Sequence, residues 1–198
     1  MGAEGQAALR ERTGADLLLL EEFDVKEARL GLAGDMGKMA HAAYALELCD
    51  RLCPPRHAEP AAFDWLREFL LRTEAGRASA ERLRVFELGL LARLGLGPAI
   101  DRCALCARSD LGEEHTRWHP DQGGVVCASC ARHGDVLSVA TRRALARLAR
   151  MTLADAETAT LDREINAGCR RAILGLVRTH ISGPLRSLDF IEKMGSDR

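Results

Sequence analysis

Four cysteines, set as Cys103-Ala104-Leu105-Cys106 and Cys127-Ala128-Ser129-Cys130, constrain this chain more than any other feature. Two residues between thiols let both sulfurs of a pair reach one ion, and the twenty residues between the pairs are enough for a hairpin that brings the pairs together. Four thiolates fill a tetrahedral Zn2+ and leave no position for water or substrate, so the spacing predicts a structural metal site. Two redox-active or merely buried C-x-x-C pairs are the alternative, but a redox motif needs no matching partner at ribbon spacing. A catalytic zinc of the deaminase kind wants an H-x-E unit ahead of a P-C-x-x-C, and neither is present. His115, His119 and His133 lie near enough to replace a cysteine; with four thiols at hand they read as surface residues or neighbours of the ligands. Cys49 and Cys53, four apart, make either half a metal site or small apolar positions on a packed helix face.

Around this segment the pattern is helical. Asp35 is a candidate N-cap for a helix carrying Met36, Ala40, Ala43, Tyr44, Leu48 and Leu52 and stopping at Pro54-Pro55. A second helix starts near Pro60, with Phe63, Leu66, Phe69 and Leu70 on one face, and ends around Gly76. A third runs from about Ser79 through Leu83, Phe86, Leu90, Leu91 and Leu94 to Gly95. Thr116–His119 and Gly124–Val126, joined by Pro120-Asp121-Gln122-Gly123, predict a small hairpin. Ser138 caps a helix holding Leu145, Leu148 and Met151. A longer helix follows from Leu161 to His180 with Cys169 in its apolar stripe, and a short one holds Leu185, Leu188, Ile191 and Met194. Ahead of all these, residues 1–12 read as a poorly ordered start, and Ala15–Leu20 as a short buried strand.

Composition narrows the class. Of 198 residues 47% are apolar and 29% charged, which fits a globular chain with a core of its own. No apolar run is long enough to span a bilayer and the N-terminus is not a signal peptide, so the expected compartment is the cytoplasm, with reduced or metal-bound cysteines. The net charge of −1 is uneven: residues 1–130 hold 16 basic against 21 acidic side chains, residues 131–198 hold 12 against 8. Arg142, Arg143, Arg147 and Arg150 lie on the helix after Ser138. Arg163, Arg170, Arg171 and Arg178 recur on the next helix at seven or eight residues, on a face roughly opposite the apolar one. These are the candidate DNA contacts through phosphate; the alternative is a solvated face paired to Asp155, Glu157 or Glu164. Trp118 and His119 are candidates for base stacking, too few to make a platform. No nucleophile–base constellation stands out, so no enzyme is expected.

The order of elements also resembles a known family. Tyr44-Ala45-Leu46-Glu47-Leu48, Asp50-Arg51-Leu52, Phe86-Glu87-Leu88-Gly89-Leu90-Leu91, the two cysteine pairs, Gly123-Gly124-Val125-Val126, His180-Ile181 and Leu185-Arg186-Ser187-Leu188-Asp189-Phe190 together resemble the bacterial recombination mediator RecO in its zinc-containing form. The resemblance implies a mainly α chain: a helical bundle over 34–198 with an inserted four-cysteine, zinc-ribbon-like β-hairpin module at 101–134, preceded over 1–33 by a remnant strand of an N-terminal OB-fold. It implies binding to single- and double-stranded DNA, annealing, and help in loading RecA with RecR and single-strand-binding protein, in the cytoplasm at the nucleoid. An OB-fold takes five strands, and only Asp16–Phe23 reads as one. The expectation is therefore a fragment, a misassigned start or a degenerate copy, with Leu17–Leu20 lacking strand partners. The reading from another class is a zinc-ribbon protein-interaction module on a helical bundle without direct DNA binding.

Overall fold

A computed structural model describes residues 2–11, 14 and 17–195, with the side chains of 192–195 excepted. The chain begins with an antiparallel hairpin, β1 (Glu4–Arg10) and β2 (Leu19–Glu27), and continues as helices α1 (Met36–Leu52), α2 (Pro60–Ala75) and α3 (Ala80–Arg93). A three-stranded sheet follows, β3 (Thr116–His119), β4 (Gly124–Val126) and β5 (Asp135–Leu137), in the order β4-β3-β5 with both pairings antiparallel. Helices α4 (Val139–Leu148), α5 (Arg163–His180) and α6 (Arg186–Gly195) close the chain. The architecture is mainly helical with two small antiparallel sheets.

Helix starts are set locally. The side chains of Asp35, Ser79 and Ser138 each accept a hydrogen bond from the N–H three residues on, which satisfies a donor the first turn leaves open. Packing then joins the pieces, with α2 and α1 against α3, α5 against α3 and α4, and α6 against α1. Glu47 on α1 tethers α6 by accepting from the Arg186 and Ser187 N–H groups, both at 2.8 Å. Partial burial would raise this carboxyl, but the Ser187 and Arg186 hydrogen bonds win and lower it. One apolar core runs from Leu32 to Leu188 and includes Leu111, Trp118, Val125, Val126 and Leu137, so the β4-β3-β5 sheet is built into the helical body.

Charge is buried at the centre. Glu87 on α3 is fully buried, accepts from the Tyr44 hydroxyl at 2.6 Å and lies 2.9 Å from the equally buried Arg84 guanidinium. Burial raises the Glu87 carboxyl against the pull of Arg84 and Tyr44. Burial also holds His41 near 4, helped by Arg84 and Arg82, so this histidine is neutral at pH 7. Removing one member of such a set leaves the other charge unpaired in the core, which makes the set hard to alter singly.

Several expectations need correction. The stretch read as a poorly ordered start contains β1, and β2 has a strand partner along its length, with Leu20 opposite Leu9 and Phe23 opposite Ala7. The single expected strand, Asp16–Phe23, is displaced: β2 begins at Leu19, and Ala15 and Asp16 lie outside the described residues. Burial was also expected of Ala15–Leu20, yet Leu17, Leu18, Leu19 and Leu20 are all exposed, because among the described residues the two-stranded hairpin has no second layer over it. β5 extends the module beyond residue 134. On α2, Phe63 is 55% exposed and Trp65 is buried instead. Trp65 turns that face inward by donating its indole N–H to the Phe86 carbonyl at 3.0 Å, in a space kept open by Gly89.

A Cβ on Gly89 would come within 2.4 Å of the Trp65 ring, inside the contact between α2 and α3. Gly89→Ala is therefore expected to lower the stability of the chain by about 1–3 kcal/mol, as overpacking does, read as a shift of the urea midpoint. A midpoint equal to that of the unsubstituted protein would contradict the packing described.

Candidate functional site

The two C-x-x-C pairs come together at one end of the β4-β3-β5 sheet. Their four sulfurs lie within 4.8 Å of one another, with Cys106 and Cys127 3.8 Å apart, and among the described residues they are the one group of three or more candidate ligands found clustered. The first pair is a tight turn. The Ala107 N–H bonds the Cys103 carbonyl at 2.9 Å, and Ala107 takes a left-handed conformation, φ 60°, that returns the chain so that the Cys103 N–H meets the Arg108 carbonyl. The second pair is a tight turn as well, with the Cys130 and Ala131 N–H groups on the Cys127 carbonyl. The Ala104 N–H bonds the Val125 carbonyl at 2.7 Å, which ties one turn to the strand that leads into the other.

This setting suits a cation. Burial would raise the Cys103 thiol, but the N–H groups of Cys127, Cys106 and Leu105 converge on it and bring it down to about 6. Hydrogen bonding to the sulfurs of Cys127 and Cys106 pushes the Cys130 thiol up, and a metal bound by all four sulfurs would take the thiolate form of each. Cys103 and Cys127 are buried, Cys130 is half-buried and Cys106 is exposed. The four cysteines can hold one metal ion. The histidines do not join them: His115 is exposed, and His119 and His133 meet edge to face with ring centres 5.1 Å apart. Cys49 and Cys53 stay apart from the cluster against the α1 core, where burial pushes Cys49 up to about 12. Cys169 is fully buried.

The module is seated on the body by backbone and by one ring. Ala99, just after α3, exchanges hydrogen bonds with Gly123 and Val125 at 2.9 and 2.8 Å, and Gly124 (φ 146°) lets the two backbones approach, since a Cβ there would lie 2.2 Å from the Ala99 oxygen. Trp118 is 4% exposed, with Gly175 of α5 beside its indole nitrogen. Trp118 is thus a core residue, which removes it as a candidate for base stacking.

The arginines divide. On α4, Arg142 donates to the Gly112 carbonyl at 2.5 Å, Arg143 pairs with Glu113 and Arg147 donates to the Thr160 carbonyl at 3.2 Å; just past its end, Arg150 pairs with Asp101 at 2.7 Å. Of the carboxylates expected to pair with them, Glu157 instead meets Arg72 and Arg82. These four arginines line an open depression of about 500 Å³ together with Asp101, Asp155, Ala146 and Met151. On α5, Arg163, Arg171 and Arg178 are exposed. Arg170 is half-buried and its charge acts on Glu87 and Tyr44, so it departs from the outward face expected of it.

Comparison with known proteins decides the family. The model of the recombination protein O C-terminal domain matches residues 33–189. A DNA repair protein RecO of Anaeromyxobacter sp. (strain Fw109-5) is 35% identical over 193 residues, which are 96% of this chain and 75% of that one. The chain belongs to the RecO family. Further RecO proteins agree, those of Myxococcus xanthus and Symbiobacterium thermophilum each being 30% identical over 93% and 94% of this chain and 74% and 76% of their own. The region matched by the RecO model begins just ahead of α1 and takes in α1 to α5, the start of α6 and the cysteine cluster.

Two features of this chain leave little local trace in its sequence. Arg84 and Glu87, three apart on α3, look like an exposed ion pair, and only their place amid Leu83, Phe86 and Leu90 hinted at burial. Asp101, Gly112 and Glu113 meet the arginines of α4 and its end across 30 to 49 residues of sequence, which no local pattern reports. Substituting Cys106→Ser is expected to loosen residues 101–137 selectively: limited proteolysis should cut there first while α1–α3 stay protected. Unchanged protease resistance of that segment would show that the fourth thiol contributes nothing to it.

Proposed function

We propose that this chain acts in DNA repair as a recombination mediator that grips DNA and protein partners and transforms neither. The match of residues 33–189 to the RecO C-terminal domain carries the proposal, since the RecO relatives are named as DNA repair proteins. In this reading the cluster holds Zn2+. Sulfurs bonded to one zinc at about 2.3 Å sit ~3.8 Å apart, and the Cys106–Cys127 separation of 3.8 Å fits that. The ion supplies structural cross-linking, and four thiolates leave it no position for a reacting water. The chain's own part is to present Arg142, Arg143, Arg147, Arg163, Arg171 and Arg178 to backbone phosphates. Arg170 serves chiefly the buried set around Glu87.

Family membership extends the proposal to single- and double-stranded DNA as ligands, to RecR and single-strand-binding protein as partners and to RecA as the protein finally loaded. The β1–β2 hairpin, with its uncovered apolar side chains, would be part of the family's OB-fold. No helix among the described residues is long and apolar enough to cross a membrane, in keeping with a cytoplasmic, nucleoid-associated role.

Fluorescence anisotropy of labelled single-stranded DNA across a salt series tests the reading. Affinity should fall steeply as salt rises, and Arg171→Ala with Arg178→Ala should flatten the log–log slope by about 1.4, because each phosphate contact on a single strand contributes about 0.7. Absence of binding even at low salt would favour the other reading, a protein-interaction module whose arginines make only surface ion pairs.

A further inference from the structure

The depression on α4 has an odd feature for a phosphate site. Of its four arginines, three are held by the cysteine module or its entry: Arg142 by the Gly112 carbonyl, Arg143 by Glu113 and Arg150 by Asp101. Glu113 and Gly112 belong to the loop between the first cysteine pair and β3, and Asp101 precedes that pair by two residues. Carboxylate and phosphate make the same hydrogen bonds to a guanidinium. The carboxylates of Glu113 and Asp101 therefore occupy the donors of Arg143 and Arg150 that a phosphate would use.

We propose that Glu113 and Asp101 are built-in competitors for nucleic-acid phosphate: they hold the arginines of the depression, and a single-stranded DNA backbone enters it by displacing them and releasing the 107–115 loop from α4. This rests on the DNA-binding reading above. The strength of the contacts suits a latch that opens. The side chains of Arg143 and Glu113 are 64% and 73% exposed, and those of Arg150 and Asp101 are 70% and 61% exposed. Pairs so exposed hold weakly in salt water, so a polyanion delivering several phosphates at once can replace them. The depression is open, with a volume of about 500 Å³, and Met151, Ala146 and Asp155 line it beside the arginines and Asp101. Binding and loop position are then one equilibrium: whatever opens the loop exposes arginines, and whatever fills the depression frees the loop.

The test uses the full chain with its metal and a labelled single-stranded oligonucleotide of mixed sequence. Glu113→Gln with Asp101→Asn should raise affinity about three- to tenfold at low salt, as expected for removing two weak competing pairs. A control of equal charge change far from the depression, Asp50→Asn with Asp64→Asn, should change it by less than about twofold. Hydrogen exchange across 107–115 should speed up when oligonucleotide is added. Should the unsubstituted protein bind and Arg143→Ala with Arg150→Ala weaken it, while the carboxylate pair behaves like the control, the latch is overturned and the DNA-binding reading stands. Should arginine and carboxylate variants all match the unsubstituted protein, the depression is not a DNA site and the latch falls with it. Absence of binding by every form overturns both; binding gained only in the carboxylate variant supports the latch.

Discussion

Everything distinctive about this molecule depends on two pairs of thiols converging at the end of a three-stranded sheet too small to stand alone. The strands are three or four residues long, and a sheet of that size gains too little from burial to offset its ordering. Two things compensate. The sheet lends Trp118, Val125 and Val126 to the core of the helical body, and the cysteines gather four sulfurs where one ion can bond them all. In the proposed function that ion fixes the loops whose carboxylates and carbonyl reach the arginines of α4. The metal centre and the arginine-lined depression would then be one device, with the first setting the geometry of the second.

The helical body provides the rigid side of that device. The buried Arg84–Glu87–Tyr44 set links α1 to α3, and the charge of Arg170 extends it toward α5. An apolar core of the same volume would often be as stable. What the set adds is a directional contact between α1 and α3, the 2.6 Å hydrogen bond from Tyr44 to Glu87. Arg170 of α5 is half-buried and its charge acts on that set, so it is not among the arginines open to solvent.

Much of this was legible in the sequence because its causes are local. Asp35, Ser79 and Ser138 precede apolar periodic runs and cap the helices they announce. The cysteine spacing and the Pro120–Gly123 turn located the module and its first hairpin. Illegible were the features whose cause lies far along the chain. β5 is three residues with only Leu137 buried, so it carries no period, and it exists because β3 has an edge to offer. β1 shows no alternation because almost all its side chains are exposed. Trp118 could not be told from a surface aromatic without knowing that Gly175 on α5 leaves room beside it. The partners of the α4 arginines were misjudged for the same reason: proximity in sequence favoured Asp155 and Glu157, while the fold delivered Asp101 and Glu113.

X-ray absorption at the zinc edge, on protein purified without chelator and with its metal content measured, tests the central claim most directly. The account predicts one zinc per chain bonded to four sulfurs at about 2.3 Å. A chain that carries no tightly held metal, or one whose metal is bonded to nitrogen or oxygen in place of sulfur, would contradict it.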